Sequence, residues 1–541
     1  MNQYAIRITG KDQVEIDPDM PVPEVGPTQI LLQIEACGIC FSDTKLMHAF
    51  DTHPRKTPIR AGLTDEELAQ IPTYRPGSAP VVPGHEPVAR VAAVGEKVTR
   101  YHPGQRVLVQ TDYRHLPTEA SNAAFGYDFD GALEEYALVD EKMVIDPVSQ
   151  ESYLINVGED LSSAAVALVE PWACVETAYA WGERQSVKQG GSLLAVIEEG
   201  MDVQGLDDII RQAKPGSVLR LTRADQIEAG ITFDDIIYAG TDPSSVERLA
   251  AHLGKQGILN VVTCGRRFGS EVRIDAGRVH YDLIRYVGTT SDRVQDGYSW
   301  IPAGGEVRDG DRVAVIGAAG PMGLMHAVRT ATCGVAGVTL DAVDIDDERL
   351  ARLHDVLDPI AQRHEVPVRV INSARSELEP HAYTYVALMV ASPAQLQEAV
   401  RLAGEGAIVN AFAGFAVGTM VPLDLTAVLD KDIFITGTSG SRIADMVTVV
   451  GRLEAGTVDT TVSLDAITGM AGVPDALESV NKRTSQGKIM VYPKVHGLGL
   501  IRLCDLPERL PEVAAAMDDG RWTKKAEQVL LDSAHTGKGK Y

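Results

Sequence analysis

The chain has 541 residues, is 45% hydrophobic and 23% charged, and sets 75 acidic against 50 basic side chains for a formal net charge of −25. That length accommodates three or four domains, and the acidic balance opposes non-specific binding to nucleic acid or anionic membranes. No run approaches the roughly 18 apolar residues of a membrane span, and the opening Met1-Asn2-Gln3-Tyr4-Ala5-Ile6-Arg7 lacks the apolar core of a signal peptide. Six cysteines, at 37, 40, 174, 264, 333 and 504, are too few for a disulfide framework. A reducing cytoplasm is therefore expected, where a Cys near a His is a metal or catalytic candidate before it is half of a bridge.

Residues 1–182 read as β-rich. Short Val/Ile/Leu runs at 30–34, 88–94 and 106–109 are broken by Gly and Pro. A Pro-rich, basic stretch at 51–80 reads as a long loop with a short helix at 64–70. From about 183 strands and helices alternate, which predicts βαβ units and a parallel sheet. This happens twice. The run from Gly191 to Ile197 matches Gly310 to Ile316 at an offset of 119, while Ile284, Gly288, Thr289 and Arg293 match Ile433, Gly437, Thr438 and Arg442 at an offset of 149. The sequence thus predicts two copies of one α/β domain, at 183–303 and 304–445, the second with about thirty extra residues in its first half. Residues 446–541 return to mixed structure, with one helix predicted from Leu506-Pro507-Glu508 on the spacing of Leu510, Val513, Ala514 and Met517.

Three stretches carry soft and borderline metal ligands: Gly38-Ile39-Cys40-Phe41-Ser42-Asp43, Gly84-His85-Glu86, and Val169-Glu170-Pro171-Trp172-Ala173-Cys174. A catalytic zinc takes three protein ligands and keeps one position open. Cys40, His85 and Glu170 supply such a set, with Cys174 as an alternative third ligand. Asp43 is placed to hold a ligand in position, and Glu86 is a carboxylate able to approach or orient the metal. Further on, the strand Val313-Ala314-Val315-Ile316 leads into Gly317-Ala318-Ala319-Gly320-Pro321-Met322-Gly323 and a helical pattern. Glycines there let a pyrophosphate approach the backbone, and the helix N-terminus favours its charge. Asp344, after the next strand, is placed to meet ribose hydroxyls and repel a 2′-phosphate, which predicts NAD over NADP. In the first copy Glu198-Glu199-Gly200-Met201 follows the strand instead, and two carboxylates there oppose a pyrophosphate.

Together these stretches resemble the zinc-dependent medium-chain dehydrogenase/reductase family, over about 25–180 and 305–493. The Glu170-Pro171 form is similar to its sorbitol and threonine dehydrogenase branch. The resemblance implies a GroES-like zinc domain (1–182), a degenerate and then an NAD-binding Rossmann domain, and one catalytic zinc on Cys40, His85 and Glu170. It implies that Ser42 takes the substrate proton and that Lys45, where many members have a relay His, passes it on or meets a substrate phosphate. Lys488 matches a position where a base reaches the pyrophosphate, although an ordinary surface lysine reads the same way. The loop at 110–126 has no Cys, so no structural zinc is expected. Phe41 replaces a phosphate-binding Arg of some members.

The implied function is hydride transfer between NAD and a secondary hydroxyl or ketone of a polyol or sugar. If the substrate is phosphorylated, Arg55, Lys56 and Arg60 are the candidates to hold the phosphate. A tightly held NAD serving an epimerase or lyase, and a non-enzymatic nucleotide-binding scaffold, are the alternatives. The expected partners are a small-molecule substrate and further copies of the chain, as a dimer or tetramer, with neither nucleic acid nor membrane.

Overall fold

The computed structural model describes residues 1–535. They form two compact units, one from residues 1–174 and 441–535 and the other from residues 175–440. No helix among the described residues is long and apolar enough to cross a membrane.

The first unit is built on a mixed sheet in the order Ile501–Arg502, Leu464–Thr468, Lys488–Val491, Gln29–Ile39, Glu86–Val94, Arg106–Val109 and Leu154–Asn156, with Tyr136–Asp140 also paired to Gln29–Ile39. Ile30, Leu32, Ile34, Val91, Val107, Val139 and Ile489 meet in one apolar core. This is the GroES-like fold that the resemblance implied. In the 51–80 segment the short helix is Asp65–Leu68, opened by a reciprocal cap between Thr64 and Glu67. The region without cysteines folds as a hairpin of Asp112–Pro117 on Asn122–Ala124.

The tail departs from the sequence reading. The single helix expected from Leu506 is two short ones, Leu506–Arg509 and Pro511–Ala514. Leu510, between them, has φ −139° and ψ 69°, because a residue before proline is driven out of the helical region. A third helix, Lys524–His535, follows. Its Glu527 is buried and accepts hydrogen bonds from the Ser163 and Ala164 N–H groups at 2.7 and 3.0 Å and from the Tyr492 hydroxyl at 2.9 Å. The tail is thereby packed on its own unit.

The second unit holds both α/β copies. The first has parallel strands in the order Ser217–Leu221, Ser192–Ile197, Phe233–Ala239, Leu253–Val262 and Arg285–Thr289. The second runs Val368–Asn372, Thr339–Asp344, Arg312–Ile316, Tyr383–Leu388, Ala403–Asn410 and Phe434–Thr436. Orders and strand positions match, and the extra residues of the second copy are its helix Asp347–Arg363 and edge strand Val368–Asn372. Both are Rossmann-like sheets.

His326, on the helix Pro321–Ala331, is fully buried, with Nδ1 2.9 Å from the Tyr179 hydroxyl and its ring against Phe412. Burial, aided by the nearby Arg329 charge, lowers its pKa to about 3. Unfolded, the ring takes a proton near pH 6.5; folded, it stays neutral until far lower. The unfolded state therefore binds more protons in that window, and stability falls as pH drops from about 6.5 towards 3. Replacing His326 with Gln is expected to flatten this acid limb by up to about 1.4 kcal/mol per pH unit, read from denaturant unfolding between pH 6 and 4. An unchanged slope would reject the assignment.

Candidate metal centre and cofactor loop

Strand register builds the centre. Gly38 pairs with Glu86 on one side of Gln29–Ile39, and with Met490 on the other. Cys40 follows the first strand as the N-cap of the helix Phe41–Ala49, and His85 precedes the second. Adjacent strand ends therefore bring residues 45 apart in sequence to one point. Ligand atoms of Cys40, His85 and Glu86 lie within 4.8 Å of one another.

The backbone is shaped for this. Gly84 has φ +96°, and a Cβ there would meet Leu133 Cγ at 2.7 Å and Cys37 Sγ at 3.0 Å. At Gly38 a Cβ would lie 2.2 Å from Glu86 Oε2, so glycine leaves the space the carboxylate crosses. Asp43, 1% exposed, ties the two loops together. It accepts from the Cys40 N–H at 2.9 Å and the Gly84 N–H at 3.2 Å, and lies 3.0 Å from His85 Nδ1. Burial opposes the Asp43 charge, but the His85 ring and these N–H groups win and hold its pKa below the usual value. With Nδ1 engaged by Asp43, His85 has Nε2 left for a ligand.

Lys488 and Glu86, both buried, form an ion pair. Burial alone would lower the lysine pKa, yet Glu86 and then Cys40 raise it. The second carboxylate oxygen, Oε2, has no hydrogen-bond partner among the described residues. Lys488 was expected at a pyrophosphate or on the surface; the structure puts it inside the first unit, against Glu86.

Glu170, expected as the third ligand, is not among the ligand atoms gathered within 4.8 Å; it is buried, 7% exposed, and near enough to feel the Glu86 and His85 charges. Its Oε1 accepts from Ser441 Oγ at 3.1 Å and Cys174 Sγ at 3.5 Å. Burial raises its pKa and repulsion from Glu86 adds to this. No ion pair compensates Glu170 among the described residues, whereas Glu86 has Lys488.

Around His85 stands an aromatic wall that the sequence reading missed. The Tyr127 ring lies 5.3 Å from the His85 ring and 5.1 Å from that of His53. The His53 pKa is lowered to about 4, by burial and then by the Arg55 and Lys45 charges. Ser42 is partly exposed and Lys45 exposed on the Phe41–Ala49 helix. Of the four basic residues considered for a phosphate, Lys45 is exposed and the other three are engaged within the protein. Arg55 pairs with Asp112 at 2.8 Å and Arg60 with Glu119 at 2.9 Å. Lys56 is buried and donates to the Arg75 and Ala79 carbonyls at 2.7 and 2.8 Å.

In the second unit Gly317 has φ +81°, and a Cβ on Gly323 would lie 2.1 Å from the Gly317 oxygen. Both glycines are needed for the strand-to-helix turn. Gly320, the N-cap before Pro321, has no such conflict; a Cβ there meets its nearest neighbour at 3.6 Å, which leaves room at the helix N-terminus. Ala318 is buried inside the turn, and Met322 lies in the first turn of the helix. Asp344 ends its strand and accepts from the Ala319 N–H at 3.1 Å, so it borders this loop. In the first copy the same place is filled by protein. Glu198 takes the Tyr238 hydroxyl at 2.6 Å, Arg266 donates to the Gly200 carbonyl at 2.7 Å, and Met201 is buried.

Comparison with known proteins fits this geometry. Residues 26–149 match the alcohol dehydrogenase GroES-like domain. The chain is 26% identical over 182 residues to D-altritol 5-dehydrogenase of Agrobacterium fabrum, covering 32% of this chain and 44% of that protein. It is also 26% identical over 251 residues to (R,R)-butanediol dehydrogenase of Bacillus subtilis, covering 43% and 62%. The chain thus spans less than two-thirds of the length of these relatives. The crystal structure of 2R,3R-butanediol dehydrogenase from Bacillus subtilis superposes with a TM-score of 0.53 at 16% identity, covering 91% of this chain and all of that one. The chain is therefore related to the alcohol and polyol dehydrogenases.

The Glu86–Lys488 pair gives a direct test. Lys488→Met leaves a buried carboxylate without its cation and is expected to cost about 3–5 kcal/mol. Adding Glu86→Gln to that variant should recover most of the loss. Thermal unfolding of both variants checks this; a single variant as stable as the parent would contradict it.

Proposed function

We propose that the protein is a zinc-dependent oxidoreductase that moves a hydride between NAD and a secondary hydroxyl or ketone of a polyol or sugar. The observation that carries this reading is the convergence of Cys40, His85 and Glu86 on the GroES-like unit, with the buried Glu170 carboxylate close enough to feel the Glu86 charge and in no ion pair of its own among the described residues. The donor set suits zinc: one thiolate, one imidazole and carboxylate oxygen. Cys40, His85 and Glu170 are the proposed ligands, because Glu170 lacks a cation of its own while Glu86 is neutralised by Lys488. Glu86 Oε2 is the nearby group able to approach the same ion. When bound, zinc would polarise the substrate oxygen and NAD would exchange the hydride.

The chain's own residues do the rest. Asp43 fixes the His85 ring and the Cys40 loop together. Ser42 is proposed to take the hydroxyl proton, with Lys45, exposed three residues on, passing it to solvent. Gly317, Ala318, Gly320, Pro321, Met322 and Gly323 would cradle the pyrophosphate and Asp344 the adenosine ribose. One NAD per chain is proposed, since Glu198, Met201 and Tyr238 fill the first copy's equivalent place. A neutral polyol or sugar is favoured over a phosphorylated one, because Arg55 and Lys56 are held in buried contacts, which of the four candidates leaves the exposed Lys45 and Arg60 to meet a phosphate. The names of the relatives, an altritol and a butanediol dehydrogenase, support a substrate of this class.

NADH absorbance against a panel of polyols, sugars and their phosphates, with metal measured on the same sample, tests the reading. NAD reduced in proportion to product and one zinc per chain are expected, and Asp344→Ala should narrow the preference for NAD over NADP. Activity confined to primary alcohols, or product formed without net NADH, would overturn it.

A further inference from the structure

The first α/β copy has a structural relation to the second that its lost glycine loop does not suggest. Its strand Val272–Asp275 pairs antiparallel with Met420–Leu423 of the second copy. The pairs are Val272 with Leu423, Arg273 with Pro422, Ile274 with Val421 and Asp275 with Met420. At the 149-residue offset between the copies, Arg273 and Pro422 are equivalent positions paired with each other. Val272 is equivalent to Val421 and Ile274 to Leu423, so the flanking pairs are mirror images of one another. Arg285 and Phe434 are likewise equivalent, and the guanidinium lies over the ring at 5.9 Å. Helix caps repeat too: Asp275 accepts from the Arg278 N–H and Asp424 from the Ala427 N–H. Residue i meets j and the equivalent of j meets the equivalent of i. That is the signature of an isologous, two-fold contact between like subunits, here made inside one polypeptide.

The seam is built as an interior. Ile274, Ala276, Val279 and Tyr286 share one buried cluster with Val421, Leu423, Leu425 and Ile433. It also grips a particular segment of the second copy, residues 411–419. Asp275 accepts from the Gly418 N–H at 3.0 Å, Ala276 N–H donates to the Thr419 carbonyl at 3.0 Å, and His280 Nδ1 lies 3.2 Å from the Ala411 oxygen. At Gly277 a Cβ would stand 2.3 Å from the Ala416 oxygen, so the helix approaches this segment as closely as backbone allows. The segment leaves the carboxyl end of Ala403–Asn410, the edge of an open α/β sheet where ligands bind. It reaches the cofactor loop's surroundings directly: Ala413 N–H donates to the Leu388 carbonyl at 3.0 Å, and Phe412 packs on His326 of the helix that follows the glycine loop.

We propose that the first α/β copy is an in-chain second subunit. It closes the self-complementary edge of the second copy and, through residues 275–280, holds 411–419 in the shape the cofactor cleft needs. The second half of this rests on the reading of the second copy as the NAD site. An assembly of whole chains then has to use other surfaces.

Two measurements on the full chain test it. The first uses Arg273→Cys combined with Pro422→Cys, in a sample co-refolded from light and heavy isotope-labelled protein and then oxidised. Linked peptides should come from one chain only; mixed-isotope links would show the seam joining two chains and overturn the closure. The second is NADH titration by fluorescence on the parent, Gly277→Val and Asp275→Asn. The milder Asp275→Asn keeps an acceptor for the helix cap and covers the case in which the valine prevents folding. A Kd raised about tenfold in Gly277→Val, and several-fold in Asp275→Asn, is expected for a coupling of ordinary size. Parent-like affinity in the folded variants would overturn the bracing role. Failure of the parent itself to bind NADH would instead reject the cofactor reading and with it the bracing half, and leave the isotope test of the closure standing.

Discussion

The candidate site depends on the alignment of three neighbouring strands, Lys488–Val491, Gln29–Ile39 and Glu86–Val94. The ladder sets Gly38 opposite Glu86 and, on its other side, Met490. Lys488 then reaches Glu86 across a position where only glycine leaves room. A one-residue slip would turn every side chain to the opposite face and would bury Glu86 without a cation. Such a pair adds little net stability, because desolvation cancels most of its attraction. Its effect is on specificity: the wrong register is costly, so Cys40 and His85 come together in one arrangement.

Charge explains why this arrangement points to a cation. Asp43, Glu86 and Glu170 are buried beside the half-buried Cys40 thiol, against Lys488 and the His85 ring. Lys488 neutralises one carboxylate and His85 balances Asp43. Glu170 has only a hydroxyl and a thiol as hydrogen-bond donors, and the more distant His85 and Lys488 charges do not offset its burial and the repulsion from Glu86, so its pKa stays raised. An added cation at Cys40 and His85 would remove that imbalance. The second unit reaches its binding shape differently, through glycine clearance at 317 and 323 and an acid at the end of the next strand. In the first copy the same turn carries Glu198 and Met201, whose side chains fill the space themselves.

Much of this was legible because it is local. Cys40, His85 and the glycine loop each sit at a strand end with short-range signals, and the duplication shows as a constant offset between landmarks. What escaped is non-local. Lys488 and Glu86 are 402 residues apart, and Ser441 and Glu170 are 271 apart, so no spacing links them. Arg55, Lys56 and Arg60 read as a free basic group, since their partners Asp112, Glu119 and the Arg75 and Ala79 carbonyls belong to other turns of the chain. In the tail, helical spacing across Leu510 was right in period, but Pro511 divided the helix. The offset revealed two copies without revealing that equivalent strands pair across them.

The metal chemistry turns on which carboxylate completes the ligand set, and the zinc affinity of Glu170→Gln, Glu86→Gln/Lys488→Met and Cys174→Ser, compared by competition with a chelator, measures that directly. Loss of about tenfold or more in affinity is expected for Glu170→Gln, in line with removal of a supporting or direct metal contact, with Cys174→Ser and the charge-balanced Glu86→Gln/Lys488→Met double variant close to the parent. A loss confined to the Glu86→Gln/Lys488→Met double variant or to Cys174→Ser, with Glu170→Gln binding zinc as the parent does, would contradict it.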